Sequence, residues 1–204
     1  MRSIRAAATL LLLGGVGLNK NTGATVTLSG NNSYAGATQI DGGRLVVLGN
    51  NGPSNVSVNS SGTLGGTGSI GGTVTANSGS NVAPGLSPGI LYSGNFNLSS
   101  GSNFDVEISG LLPGSGHDQQ AVTGTVSIGG ATLAISGVFV PPQYSSYRII
   151  DNDGFDPVVG TFAGLPEGAT VTVGGETLTI TYQGGTGNDV VLYDPIPVQI
   201  SGKS

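Results

Sequence analysis

The sequence predicts an all-β solenoid, and three observations point that way. Short runs alternate apolar with polar residues. Corners rich in Gly, Asn and Ser separate those runs at a loose period near twenty. Charged helix formers are almost missing. Only 8% of the 204 residues are charged, and 38 are glycine. Glu, Lys and Arg together number nine, which excludes a helical bundle. Ile, Val, Leu and Phe number 55, so a buried core is within reach. The length allows one domain, or one with a small cap.

The same composition excludes several kinds of chemistry. With no Cys there are no disulfides, thiolate metal sites or cysteine nucleophiles. A single His excludes a multi-histidine metal centre. A net charge of −5 with six Lys and Arg argues against nucleic acid as a partner.

At the N-terminus, Arg2 and Arg5 precede the apolar stretch Ala6–Leu13, with Gly14, Gly15, Val16 and Gly17 behind it. A basic start, a short apolar middle and small residues form the layout of a secretory signal peptide over residues 1–17. The stretch is too short to span a bilayer, so no transmembrane segment is expected. The alternative for Ala6–Leu13 is a buried edge strand.

From residue 24 the pattern is β. Thr25–Leu28, Val56–Val58, Thr73–Thr75, Phe96–Leu98 and Phe104–Ile108 alternate, as do Val126–Ile128, Thr132–Ile135, Val171–Val173 and Thr177–Ile180. Period-two alternation turns one face to a core and the other to water. Among these runs Val46, Val58, Val74 and Leu98 are expected to face inward and stack. Corners recur at Asp41-Gly42-Gly43, Ser60-Ser61-Gly62, Asn77-Ser78-Gly79 and Ser99-Ser100-Gly101. Their third positions lie 19, 17 and 22 residues apart, the spacing of stacked coils that share one core. Gly and Asn suit such corners because both tolerate positive φ. The competing architecture, a β-sandwich, would pair its strands antiparallel through short hairpins. Coiling is expected to relax around Leu111–Gln120. Thr170–Gly174 and Glu176–Tyr182 read as a hairpin about Gly174-Gly175.

Four ordered motifs carry a family likeness. Leu28-Ser29-Gly30-Asn31-Asn32-Ser33-Tyr34-Ala35-Gly36-Ala37-Thr38 resembles the core of the autotransporter-associated β-strand repeat, also called the passenger-associated transport repeat. Leu64–Gly72 and Ala83–Gly89 resemble the segments that follow it, and Ile150–Gly154 with Gly160–Gly168 resembles the closing module of such proteins. The resemblance implies a right-handed parallel β-helix in a passenger exported to or through the outer membrane. Leu18-Asn19-Lys20-Asn21-Thr22-Gly23-Ala24 departs from the usual glycine phasing, so the first coil is expected to be irregular.

Candidate chemistry is sparse. Gly184–Leu192 fits one copy of a calcium-binding nonapeptide, but one copy supplies only half a site. The simpler reading makes Asp189 a turn cap. Asp151-Asn152-Asp153-Gly154 has calcium-loop character without the remaining ligands, and Asx turns explain it. Asp105 and Glu107 share one strand face, as a glycosidase pair would, or as the solvated face of an amphipathic strand. His117-Asp118 could orient a base, and Arg148 near Asp151 and Asp153 could mimic the Arg-plus-Asp chemistry of β-helix polysaccharide lyases. A structural ion pair or an exposed Arg is the plainer reading of Arg148, and Arg44 reads as an outward residue. No residue is singled out as catalytic, cofactor-binding or metal-ligating, and no cofactor is expected.

The expected organisation is a signal peptide at 1–17, regular β-helix coils at 18–110, a partly antiparallel closing region at 111–193 and a tail at 194–204. The expected function is a non-enzymatic structural passenger module, secreted or at the cell surface. It is an adhesive one if it binds surface glycans or other cell-surface proteins. The alternatives are a polysaccharide-degrading β-helix enzyme and a calcium-dependent carbohydrate-binding module. Export has a direct check. N-terminal sequencing of secreted material should find the mature chain starting near residue 17. Intact Met1 protein confined to the cytoplasm would overturn the expectation.

Overall fold

A computed structural model describes residues 2–3 and 13–195. Most of the apolar stretch Ala6–Leu13, and the tail beyond Pro195, lie outside the described residues. Strand β1 (Arg2–Ser3) precedes the coils. The first two coils are each built on one long strand, β2 (Leu18–Leu28) and β3 (Thr38–Val47). The third contains β4 (Val56–Val58), β5 (Gly62–Gly66) and β6 (Ser69–Ile70). The fourth contains β7 (Val74–Ala76), β8 (Asn81–Pro84) and β9 (Ile90–Ser93). The fifth contains β10 (Phe96–Leu98), β11 (Asn103–Glu107) and β12 (Gln119–Val122). The sixth contains β13 (Val126–Gly129), β14 (Thr132–Ser136) and β15 (Ser146–Asn152). β16 (Val159–Thr161) opens a last turn. β17 (Thr170–Val173), β18 (Glu176–Gly184) and β19 (Asp189–Tyr193) then fold back.

Every strand pair from β1 to β16 is parallel. Among the described residues, antiparallel strand pairing is confined to β15–β19, β18–β19 and the β17–β18 hairpin. This is the predicted parallel β-helix with a partly antiparallel closing region, and not a sandwich. One face stacks β4, β7, β10, β13 and β16, and a second stacks β5, β8, β11 and β14. The long strand β3 turns the corner between these two faces, so both belong to one twelve-stranded sheet. The third face holds β6, β9, β12 and β15 and continues into the closing strands.

Register explains the core. On the first face Leu18, Thr38, Val56, Val74, Phe96 and Val126 form one inward column. Ile40, Val58, Ala76, Leu98 and Ile128 form the next. Val26, Leu45, Leu64, Val82 and Phe104 do the same on the second face. All of these residues are buried. Phe96 packs edge-on against Phe104, and Phe104 stacks on Phe162 at 6.0 Å. Phe162 lies beside Tyr182 at 6.3 Å, so the aromatic core runs up into the closing strands. The Tyr182 hydroxyl accepts the Phe162 N–H and donates to the Leu165 carbonyl, which pins the closing region to the last turn.

Corners repeat the same local solution. Gly62, Ser80 and Ser102 each donate their N–H to the carbonyl three residues back, closing a turn. The third residue of each turn, Ser61, Gly79 or Gly101, has φ between 69° and 78°, where glycine has no Cβ penalty. Amides stack along this edge: Asn77 Nδ2 donates to Asn59 Oδ1 at 2.8 Å, and Asn59 Nδ2 to Asp41 Oδ1 at 2.6 Å. The first coil is irregular as expected. Its register against β3 shifts on both sides of Asn21, because the corner 21–24 holds one residue more than 41–43. The buried Lys20 spans this corner, its Nζ donating to the carbonyls of Thr22 and Gly42.

One expected core residue does not face inward. Val46 sits between inward Leu45 and Val47, in an outward column with Thr27 and Gly65. It is still 5% exposed, and the Arg44 guanidinium lies close over Gly65 beside it. Four consecutive apolar residues, Leu45–Leu48, leave the parity undecided, and the pleat turns only Leu45 and Val47 inside. Val58, Val74 and Leu98 do face the core. Val58→Asp should therefore cost at least ~3 kcal/mol, since it buries an unpaired charge. Thr75→Asp, on the outward rank of the same face, should stay within about 0.5 kcal/mol. Urea denaturation of both variants measures the contrast.

Candidate functional site

Coil length positions the chemistry. Along the first column the step is 18 residues from Val56 to Val74, 22 to Phe96 and 30 to Val126. The extra residues of the fifth coil leave the stack as a compact loop between β11 and β12. Inside it Ser109 N–H donates to the Gly116 carbonyl, and Gly116 and His117 N–H both donate to the Leu112 carbonyl. The loop returns His117 and Asp118 to the body of the protein, where both are buried. A cleft lies on each side of this return.

The first cleft, about 170 Å³, lies under the turn 83–89 and is lined by Arg44, Ser87, Asp105, Glu107, Asp118 and neighbours. β8 pairs with β11 only at Asn103 and Phe104, because the turn then leads the chain away. Asp118 takes over. Its N–H donates to the Glu107 carbonyl, its Oδ2 accepts the Glu107 N–H at 2.9 Å, and its Oδ1 accepts the Gly89 N–H at 2.7 Å. Burial pushes its pKa up to about 6, against the opposing pull of these two amides. Glu107 goes the other way. The Ser109 and Ser87 hydroxyls donate to its two oxygens and lower its pKa. Burial raises the pKa of Asp105, with Arg44 opposing it. Asp105 and Glu107 thus share an outward face as the alternation predicts. Both oxygens of Glu107, and both of Asp118, are already bonded within the protein. The cleft is built as a latch between the fourth and fifth coils.

The second cleft, about 420 Å³, brings together residues that are far apart in the chain. His117 comes from the inserted loop, Gln119 from β12, and Ser146, Arg148 and Asp151 from β15. Arg148 Nη1 meets Asp151 Oδ1 at 2.9 Å, and its Nε meets Asp189 Oδ2 at 3.1 Å. Asp189 Oδ1 accepts the Asn152 N–H. Burial raises the pKa of Asp189, with the Asn152 amide and Arg148 opposing it. The two segments with calcium-loop character therefore meet, and Asn188 Nδ2 donates to the Asp153 carbonyl between them. Where they meet, the Arg148 guanidinium bridges Asp151 and Asp189. Among the described residues no group of three His, Asp or Glu is placed to hold a metal ion. His117 packs edge-on against Tyr147 at 5.5 Å, and burial lowers its pKa.

The motif between Leu28 and Thr38 is structural. The buried Tyr34 hydroxyl lies 2.6 Å from Thr38 Oγ1 and accepts from Asn51 Nδ2 at 2.8 Å. Thr38 Oγ1 lies 2.9 Å from Ser54 Oγ, which donates to the Gly36 carbonyl. A Cβ on Gly36 would meet the Val16 backbone at 2.4 Å, so the position is closed to side chains. Tyr, Gly and Thr at this spacing thus join the first and second coils from inside. Residues 18–47 match the passenger-associated-transport-repeat family. The chain is 46% identical over 88 residues to the adhesin BmaC autotransporter of Brucella suis biovar 1 (strain 1330), covering 41% of this chain and 2% of that protein. It is 41% identical over 96 residues to an extracellular serine protease of Serratia marcescens, covering 46% of this chain and 9% of that one. The chain spans a small fraction of either relative. The passenger-associated repeat lies in the first two coils; it contributes Arg44 to the first cleft and no lining residue to the second.

Sequence reasoning singled out His117, Arg148 and Asp151 separately but did not place them together. It did not foresee the latch of Asp118, whose only signal is a carboxylate directly before a strand. The latch has a pH signature. A carboxyl with a raised pKa binds its proton more tightly in the folded chain, so stability rises as pH falls from about 6 towards the ordinary carboxylate range. His117 acts in the opposite sense, since burial disfavours its charged form. Asp118→Asn removes only the first contribution, so the His117 effect cancels in the comparison. It also leaves one backbone N–H without an acceptor, costing about 1–3 kcal/mol. Denaturation at several pH values should show the gap between wild type and Asp118→Asn widening from pH 7 to pH 4.5. A constant gap would contradict the titration assigned to Asp118.

Proposed function

We propose that this chain is a structural, adhesive segment of an exported passenger, working outside the cell or on its surface, and that it catalyses no reaction. One observation carries the reading. The first face presents a row of uncharged side chains, Gln39, Ser57, Thr75, Asn97 and Ser127, set one strand apart by the parallel register. Amide and hydroxyl ladders fix the edges of this row. Asn59 and Asn77 bond along one side. On the other, Asn95 Nδ2 donates to Thr73 Oγ1 and its Oδ1 accepts the Thr125 N–H. A rigid rank of uncharged donors and acceptors suits contact with polar surfaces and offers no reactive group.

The enzyme alternative requires a free acid and base. In the first cleft Glu107 and Asp118 spend their oxygens on internal hydrogen bonds, which leaves Asp105 without a second free carboxylate beside it. Neither His117 nitrogen bonds a serine, so no nucleophile is activated there. The adhesin relative supports the adhesive reading, and the repeat match supports export. Beads coated with the purified chain should adhere to epithelial cells or to glycan-coated plates more than albumin-coated beads do. Release of sugar or peptide products from polysaccharide or casein by the same chain would overturn the non-catalytic part.

A further inference from the structure

The second cleft holds a polar group that the fold leaves unused. His117 is 1% exposed, and neither ring nitrogen makes a hydrogen bond of good geometry; the polar groups near it, the carbonyls of Arg148, Gly110 and Leu111, can only accept, so the acceptor nitrogen of the neutral ring has no donor. Leaving a buried donor and acceptor unpaired costs free energy that packing alone does not return. The ring forms part of the wall of a cleft of about 420 Å³, within the range of small-molecule sites. The rest of the lining is mixed. Arg148 reaches Asp189 through Nε and Asp151 through Nη1, which leaves Nη2 available. The Asp151 side chain is 40% exposed and uses one oxygen on Arg148. Gln119 gives its Nε2 to the Arg148 carbonyl, leaving Oε1. Leu111, on the inserted loop, and Val191 add apolar surface.

We propose that this cleft binds one neutral hexopyranose unit of a glycan. A donor on Arg148 beside an acceptor on Asp151 matches the pair of adjacent hydroxyls on such a ring, each of which donates and accepts. Leu111 and Val191 suit the C–H face of the same ring, and the His117 nitrogens gain the partner they lack. Charge selects against acidic sugars. Arg148 is outweighed by Asp151 and Asp189, so a carboxylated sugar would enter a net negative site. The cleft opens on the outer side of the third face, where the remainder of a glycan can leave the protein. This assignment rests on the adhesive reading above and gives it a chemical target.

Saturation-transfer NMR and calorimetry on the full chain test it, with methyl α-mannoside, methyl β-galactoside and methyl β-glucoside as probes and glucuronate and sialic acid as acidic counterparts. At least one neutral glycoside should bind, with the acidic sugars at least tenfold weaker. Asp151→Ala should weaken binding at least tenfold while leaving the melting temperature nearly unchanged, because the side chain is half in water. His117→Phe keeps the ring packing on Tyr147 and forfeits no hydrogen bond of good geometry, only contacts with the Arg148, Gly110 and Leu111 carbonyls, so it should fold and also lose affinity. Absence of binding by every neutral glycoside, preference for acidic sugars, or affinity untouched by both variants would overturn the proposal. Bead adhesion separates the two readings. Beads that adhere equally well with Asp151→Ala, and without competition from free glycosides, would sink the cleft and leave the adhesive reading standing. Beads that never adhere would sink the adhesive reading, and the cleft would then be judged on calorimetry alone.

Discussion

The structure depends on parallel register between coils. No single coil of this chain can bury its apolar side chains, because each strand contributes only a few of them. Register places Val56 over Thr38 and under Val74, so each inward residue is covered by its equivalents one coil away. Backbone hydrogen bonds and side-chain burial are therefore satisfied by the same neighbours. Loss of register in one coil would turn its inward residues to water and expose those on either side of it.

The same dependence explains the polar residues inside. A column tolerates a polar group only where the next coil supplies a partner at the same height. Thr38 stands in an otherwise apolar column and bonds Tyr34 and Ser54. Lys20 ends another column, in line with Ile40 and Val58, and its ammonium reaches carbonyls at the corner of its own coil and the next. These groups tie particular coils to one another, which uniform Val and Leu columns do not do. The repeat motif is thus read as a set of inter-coil bonds, with Tyr34 and Thr38 as donor and acceptor and Gly36 as the place where two backbones touch.

What the sequence reveals follows from the same physics. Alternation and corner spacing report local geometry, so strands, corners and the Gly174-Gly175 hairpin are legible. Parity within an unbroken apolar run is not, as Val46 shows, because the pleat and not the composition decides which residue turns out. The clefts are less legible still. Asp105 and Glu107 can be placed on one face from spacing alone. Their relation to Asp118 depends on the connection 108–118 between β11 and β12, whose path no periodicity describes. His117 and Arg148 meet because the third face pairs β12 with β15, and Asp189 joins them only through the antiparallel return of β19.

Coil length, then, separates scaffold from recognition. Coils near eighteen residues close on themselves and leave only ladders at the surface. The fifth coil carries an excess of residues, and stacking forces that excess outward at one corner. The loop must return to register at Gln119, so its last residues carry groups that reattach it. Asp118 binds backbone on one side of the return, and His117 packs on Tyr147 on the other. Lengthening a coil thereby creates two clefts and the polar groups that line them, while the columns above and below keep their partners. Chemistry can vary at such a place without disturbing the core, which is why the groups capable of selective contact gather there and not along the regular faces.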